Sequence, residues 1–459
     1  MKNPFKLLLA FAAFGLAACD SGDSVAPFAG EPPAPLTADI QVLHASFDAP
    51  PVNILVNGSA ALTNVDYKVG SGRLVLNEGT YTIAVEGILP GGNATVIGPV
   101  DLTFDGNTIT SIVAVGDVAN IQPVVVTQPR DPVSAGAARL NVLHATEAAP
   151  QVDVFVTTPG ADLTASAPVG SFSFTETIGP AEVPAGDYQI RVTLAGDPAT
   201  VVYDSGTVAL NDGDDLFIAA VPNTLPPAAA AGSPISLTLL TGAGSADLLT
   251  VGTQASLRAF HASPDAPLVD IVVNDNFAAP LVEDFGYTEI AGYVPVDAGD
   301  YNLKVTVAND PGVIAIDADV SLAAGQSYDV LAIGPLATIA PLVLNDDPRP
   351  VGTYAKVRIV HGSPTAADVD IYVAAPGTDI NTIDPAFSTV PFGASTGYVN
   401  LPEGDYEVTV TPTGTKTAAI GPAPFTFANG DVFTVVARDE AGGGAPLNVI
   451  VTSDLPPLP

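Results

Sequence analysis

The stretch LRAFHASPDAPLVDIVVN (257–274) recurs three more times in the chain, as IQVLHASFDAPPVNILVN (40–57), LNVLHATEAAPQVDVFVT (140–157) and VRIVHGSPTAADVDIYVA (357–374). In each copy two apolar runs flank a short stretch rich in Pro, Ala and Asp. The second run (VNILV, VDVFV, VDIVV or VDIYV) is β-branched and aromatic, the composition of a β-strand between turns. His44, His144, His261 and His361 are the only histidines, and each holds the same place in its copy. They form a ruler with spacings of 100, 117 and 100 residues.

Two further units follow each copy in the same order. The first is NEGTYTIAVEG (77–87), PAGDYQIRVTLAG (184–196), DAGDYNLKVTVAN (297–309) and PEGDYEVTVTPTG (402–414). Its period-2 alternation places Tyr81, Ile83 and Val85, and their equivalents, on one strand face. The second is ITSIVAVGD (109–117), LFIAAV (216–221), YDVLAIG (328–334) and VFTVVARD (432–439). FDGN (104–107), NDGD (211–214), AAGQ (323–326) and ANGD (428–431) precede it with hairpin-turn chemistry. Repeats two and four share an insertion, TTPGADL (157–163) and AAPGTDI (374–380). One domain therefore duplicated, diverged, and duplicated again as a pair. PPAAAAGSP (226–234) reads as an enlarged loop of repeat two, and GAGSADLLTVGTQ (242–254) as the linker between the pairs.

Each repeat reads as about seven short strands, with no convincing amphipathic helix. This predicts an all-β chain of four tandem antiparallel β-sandwich domains, at 38–130, 138–245, 255–347 and 354–453.

Composition narrows the function classes. The 459 residues carry 49 Asp+Glu against 14 Lys+Arg, net −35. Such a surface repels phosphate, so no nucleic-acid partner is expected. At 47% apolar residues the chain has ample material for a core. One cysteine excludes a disulfide framework and a Cys zinc site.

That cysteine has an address. Lys2 and Lys6 precede an apolar run, Leu7 to Ala18, too short to span a bilayer, and the run ends in Leu16-Ala17-Ala18-Cys19. This resembles the lipobox of bacterial lipoprotein precursors, which implies a signal peptide over 1–18 and lipidation of Cys19. The expected partner is then the lipid membrane, with the protein anchored in the cell envelope and the outer membrane favoured over the inner. Residues 19–37, poor in periodicity and rich in Pro, Gly, Ser and Ala, read as a flexible tether.

The H-x-S-P-D-A-P-x-V-D opening followed by P-A-G-x-Y resembles the bacterial and archaeal family called domain of unknown function 4397, with HASPDAPLVDI (261–271) the nearest match. The P-x-G-x-Y segment is also similar to a strand of transthyretin-like sandwiches. The resemblance implies an immunoglobulin-like fold and tandem repeats in secreted or lipid-anchored proteins. It implies no activity.

The recurrent polar residues are the site candidates. His44, His144, His261 and His361 are followed nine residues later by Asn53, Asp153, Asp270 and Asp370. One His and one carboxylate per domain are too few for zinc. The structural expectation is that each His bonds its ring N–H to the next loop's backbone or to the position-nine side chain. Contact with a ligand is the other reading. Tyr81, Tyr188, Tyr301 and Tyr406, each two residues after a turn Gly, read as sandwich tyrosines with bonded hydroxyls. Calcium needs only clustered oxygens, and Asp212, Asp214 and Asp215 are its candidates. No G-x-S-x-G, H-E-x-x-H or P-loop motif is present, and no catalytic set is nominated. The expected function is a noncatalytic envelope lipoprotein, a rod of four modules for spacing, adhesion or binding an envelope protein or polysaccharide. The alternatives are a carbohydrate- or calcium-binding module, with Phe172, Phe174 and Phe387 as loop aromatics, and a hydrolase with an unrecognised site.

Overall fold

In the computed structural model, which describes residues 35–147, 149–226 and 229–455, the recurrent segments become strands of four β-sandwiches. Repeat one shows the pattern. Its strands are β1 (Thr37–His44), β2 (Val52–Val56), β3 (Ser59–Val65), β4 (Leu74–Asn77), β5 (Gly79–Gly87), β6 (Ala94–Phe104), β7 (Thr108–Val115) and β8 (Gln122–Pro129). They form two sheets, ordered β4-β1-β7-β8 and β3-β2-β5-β6. Repeats three and four have the same eight-strand plan, over Ala255–Asp346 and Ala355–Ser453. Repeat two, from Ala137 to Leu248, adds a ninth strand.

Three differences from the sequence expectation have physical reasons. The extra strand is the edge strand β3, which is mostly exposed and so lacks apolar alternation. The pairing is antiparallel except at one place per repeat, where β1 runs parallel to β7, as do their counterparts. The turns at 104–107, 211–214, 323–326 and 428–431 do not close hairpins, because the strands before and after them belong to different sheets. Asn107, Gly213, Gly325 and Gly430 supply the positive φ such a turn requires, but that chemistry does not choose the pairing partner.

The first strand is buried along nearly its whole length in every repeat. One face enters its own sandwich: Ala38 and Ile40 pack with Ile83 and Phe104, and Leu257 packs with Leu303 and Leu322. The other face enters a neighbouring repeat. Leu43, Ala45, Val113 and Val115 of repeat one share a core with Leu143, Ala145, Phe217 and Val221 of repeat two. Phe260, Ala262, Leu331 and Ile333 of repeat three share another with Val360, Val436 and Ile450 of repeat four. Each fully buried Val, Leu, Ile or Phe among them contributes roughly 1.5–3 kcal/mol. The repeats therefore meet sheet on sheet within pairs, where a rod of separate modules would join them only at their ends.

The supposed linker takes part in the first pairing. Ser245–Leu248 is the ninth strand of repeat two, and its hairpin reaches repeat one: Gly70 N donates to Ser245 Oγ (2.9 Å) and Arg73 N to Gly242 O (2.9 Å). The connection between repeats three and four docks on repeat one as well. Arg349 donates to Phe47 O (3.0 Å), Ala49 O (3.1 Å) and Asp66 Oδ1 (2.6 Å), with its guanidinium over the Tyr67 ring. Gly352 N adds a bond to Asp48 O (2.7 Å). Arg349→Ala removes three charge-assisted hydrogen bonds and leaves two carbonyls of repeat one without this donor, a loss of about 1–3 kcal/mol. Limited proteolysis should then cut within 347–354 faster than in the wild type; an unchanged cutting rate would mean that Arg349 does not hold this segment.

Candidate functional site

The His-to-Asp segment is the place where recurrent polar residues converge, so its geometry decides what they can do. Each His ends the first strand on the face turned into its own sandwich, and all four are buried. The ring does not reach the position-nine side chain. Its Nε2 lies 3.0 Å from Pro50 O in repeat one, 3.2 Å from Pro150 O, 3.3 Å from Pro267 O and 3.1 Å from Ala367 O in the others. One ring thus ties the end of the strand to the loop that leads into the next. Aromatic rings wall it in: Phe172 beside His144, Phe285 and Tyr287 beside His261, Phe392 beside His361. Burial lowers the pKa of His44, His144 and His261, against the carbonyl contact that pulls it up.

The position-nine residues perform a different task. They alternate with core positions, and each fastens irregular backbone on the neighbouring strands. Asp370 Oδ1 accepts from Thr389 N (2.8 Å) and its Oδ2 from Gly414 N (2.9 Å). Asp270 accepts in the same way from Asp284 N (2.9 Å) and Asn309 N (3.4 Å). Asp153 accepts from Gly196 N (2.8 Å) and from the Ser171 hydroxyl. Thr389, Gly414, Asp284, Asn309 and Gly196 all have positive φ, so the carboxylate stabilises a bulge on one side and a turn on the other. Asn53 has one acceptor oxygen and holds only the bulge, at Asn64 N (3.1 Å). Burial pushes the Asp370 carboxyl upward, but the Thr389 and Gly414 amides, a Thr413 hydrogen bond and the Lys416 charge together hold it below the usual range.

The tyrosines form corners. Tyr81, Tyr188, Tyr301 and Tyr406 donate to the backbone oxygen four residues upstream, at Asn77 (3.0 Å), Pro184 (2.8 Å), Asp297 (2.7 Å) and Pro402 (2.9 Å). The glycine two positions before each has φ of 149–158°, which a side chain would strain.

The remaining candidates do not assemble. Asp212 accepts from Gly136 N (2.6 Å), Asp214 from Asn211 N (2.7 Å), and Asp215 pairs with Arg73 (2.9 Å). Among the described residues no group of three or more His, Cys, Asp or Glu has metal-binding geometry. Phe172 is a core residue, while Phe174 and Phe387 are half-buried against cores. The insertions of repeats two and four are folded back as short 3-10 turns capped by Asp162 and Asp379. Arg191 and Lys416 strap them down, donating to Ala161 O (2.6 Å) and to Ile380 O and Ile383 O (both 2.7 Å). Cys19, the expected signal peptide over 1–18 and nearly all of the expected tether lie outside the described residues.

One ionisable cluster is absent from the sequence reading: Arg258, Tyr293, Asp329, Asp346, Arg358, Tyr398 and Asp454, at the junction of repeats three and four. Its signal was an Arg three residues before His in LRAFH and VRIVH, where the first pair has Gln41 and Asn141.

The profile of the family described as "Domain of unknown function (DUF4397)" matches residues 38–155, 255–372 and 355–459, more than half of the chain, and the chain belongs to this family. No curated protein matches it. Among solved structures there is a similarity to the product complex of a multi-modular glycogen-degrading pneumococcal virulence factor, SpuA. The identity is 11% and the TM-score 0.15, over 61% of this chain and 37% of that one, and it carries no argument.

These bonds generate two tests. Asp270→Ala leaves a bulge amide and a turn amide without their acceptor and should cost about 1–3 kcal/mol in urea unfolding; an unperturbed midpoint would remove the fastening role. The histidines give a pH dependence. A buried neutral His contributes stability that is present above the unfolded pKa of 6.5 and lost as pH falls below it. His261→Gln should flatten that acid limb for repeat three, and an unaltered limb would show that His261 stays accessible to protons.

Proposed function

We propose that this is a noncatalytic lipoprotein of the bacterial cell envelope, anchored through Cys19, whose paired sandwiches hold a fixed surface away from the membrane for spacing, adhesion or partner binding. The observation that carries this reading is where the recurrent polar groups are spent. The His rings contact backbone oxygens, the position-nine side chains fasten turns, and the Tyr hydroxyls close corners. Groups committed in this way serve a scaffold, and a scaffold presents its contacts on the surface that varies between copies. The membrane address rests on Leu16-Ala17-Ala18-Cys19 and on Cys19 being the only cysteine. Two or more acyl chains would hold the protein stably, the outer membrane being favoured over the inner. The partner class is an envelope protein or polysaccharide. The carbohydrate and calcium alternatives are weaker, because the aromatics they need face cores and the carboxylates they need are separately engaged.

Metabolic labelling with palmitate tests the anchor. Wild-type protein should carry label and sediment with membranes, and Cys19→Ala should lose both properties. Label retained in Cys19→Ala, or none in the wild type, would sink the proposal.

A further inference from the structure

The junction of repeats three and four encloses more negative than positive charge. Asp329, Asp346 and Asp454 have no exposed side-chain surface, and the two guanidiniums among them, Arg258 and Arg358, are 3% and 2% exposed. Arg258 grips Asp329 with two bonds (2.7 and 2.8 Å) and lies 2.7 Å from Asp454 Oδ1 and 3.4 Å from Asp346. Arg358 contacts Asp329 and lies 3.3 Å from Asp346. Three carboxylates against two cations leave one uncompensated charge in a site closed to bulk solvent.

The hydroxyls sharpen the count. Tyr398 Oη touches two carboxylates, Asp346 Oδ1 and Asp454 Oδ2 (2.7 Å), but has one hydrogen to donate. Tyr293 Oη gives its hydrogen to Asp346 Oδ2, and Thr434 Oγ1 lies 2.6 Å from Asp454 Oδ2. Whichever carboxylate Tyr398 does not serve is attracted to that oxygen only if it carries a hydrogen of its own. We propose that the junction binds one proton, held among Asp329, Asp346 and Asp454, and that taking it up tightens repeat four on repeat three as the surroundings acidify.

The surrounding groups agree. Burial, with the Asp346 charge added, pushes Asp329 up to about 6 against the pull of Arg258 and Arg358, and burial raises Asp454 too. A carboxyl raised on folding contributes stability that is complete below its unfolded pKa and lost as pH rises through the folded one. For Asp329 that window runs from 3.8 to about 6. The other charged side chains near the cluster are Lys356, over the Tyr398 ring and bonded to Asp347, and Asp347 itself. The first pair lacks the imbalance. Gln41, Ser111, Gln128 and Asn141 fill its interface, and its part-buried carboxylates each have a cation: Asp215 sits between Arg73 (2.9 Å) and Arg139 (3.6 Å), and Asp39 pairs with Arg130 (2.8 Å).

The two pairs thus give a control within one molecule, and the Asn variants below, which leave every histidine in place, separate the junction's proton from the acid response of His44, His144 and His261. Amide hydrogen exchange of the full chain, corrected for intrinsic rates, should be followed at pH 7 and pH 5. Protection in 255–262, 327–333, 355–361 and 432–438 should rise about tenfold relative to 37–44 and 137–144, the shift a single such carboxyl produces. Asp329→Asn, Asp346→Asn and Asp454→Asn each remove one negative charge. Any of them that folds should abolish the relative gain. Equal pH responses of the two pairs in the wild type would overturn the proposal, as would a gain that survives all the folded Asn variants.

Discussion

The structure depends on one constraint: the strand that ends in His is covered on both faces. A sandwich strand that meets water on one side alternates apolar and polar residues, whereas a strand covered on both must bury every position. LRAFHA (257–262) does so, including Arg258. From this follows the pairing of repeats one with two and three with four, because the second face has no cover within its own domain. The parallel neighbour β7 and its counterparts share that position and contribute Val113, Phe217, Leu331 and Val436 to the joint cores.

The pairs are closed by different chemistry. The first uses neutral amides and a hydroxyl at the positions where the second uses guanidiniums and carboxylates. Pairing a Gln41 face with an Arg358 face would leave a buried charge without its partner, so the difference opposes mispairing of four similar domains. It also explains where the scarce cations are. Among the described residues the buried Lys and Arg are Arg139, Arg258, Arg349, Lys356 and Arg358, all at junctions between repeats. The outer surface is left strongly acidic, and mutual repulsion between such surfaces opposes their association.

Much of the single domain was legible in sequence. Four histidines marked four repeats, and G-x-Y marked the corners, because those features are local and periodic. The second-pair junction was not legible. Arg258 and Arg358 carry no local signal of burial, and their partners Asp346 and Asp454 lie 88 and 96 residues downstream of them. The position-nine Asp was noticed for its nearness to His, yet its acceptors serve amides in a bulge and a turn elsewhere in the sheet. The ninth strand of repeat two passed for a linker because SADL is short, small and half-polar. In each case the deciding partner was distant in sequence.

The central claim is that paired repeats stand or fall together through their shared sheet faces. Leu331→Asp places a charge in the joint core from the repeat-three side, without touching repeat four's own sandwich. Hydrogen exchange of the full chain then reads both domains. Paired folding predicts that protection falls in 355–361 and 432–438 of repeat four along with repeat three, while repeats one and two keep theirs. Loss confined to repeat three, with repeat four unchanged, would show independent modules and contradict the account.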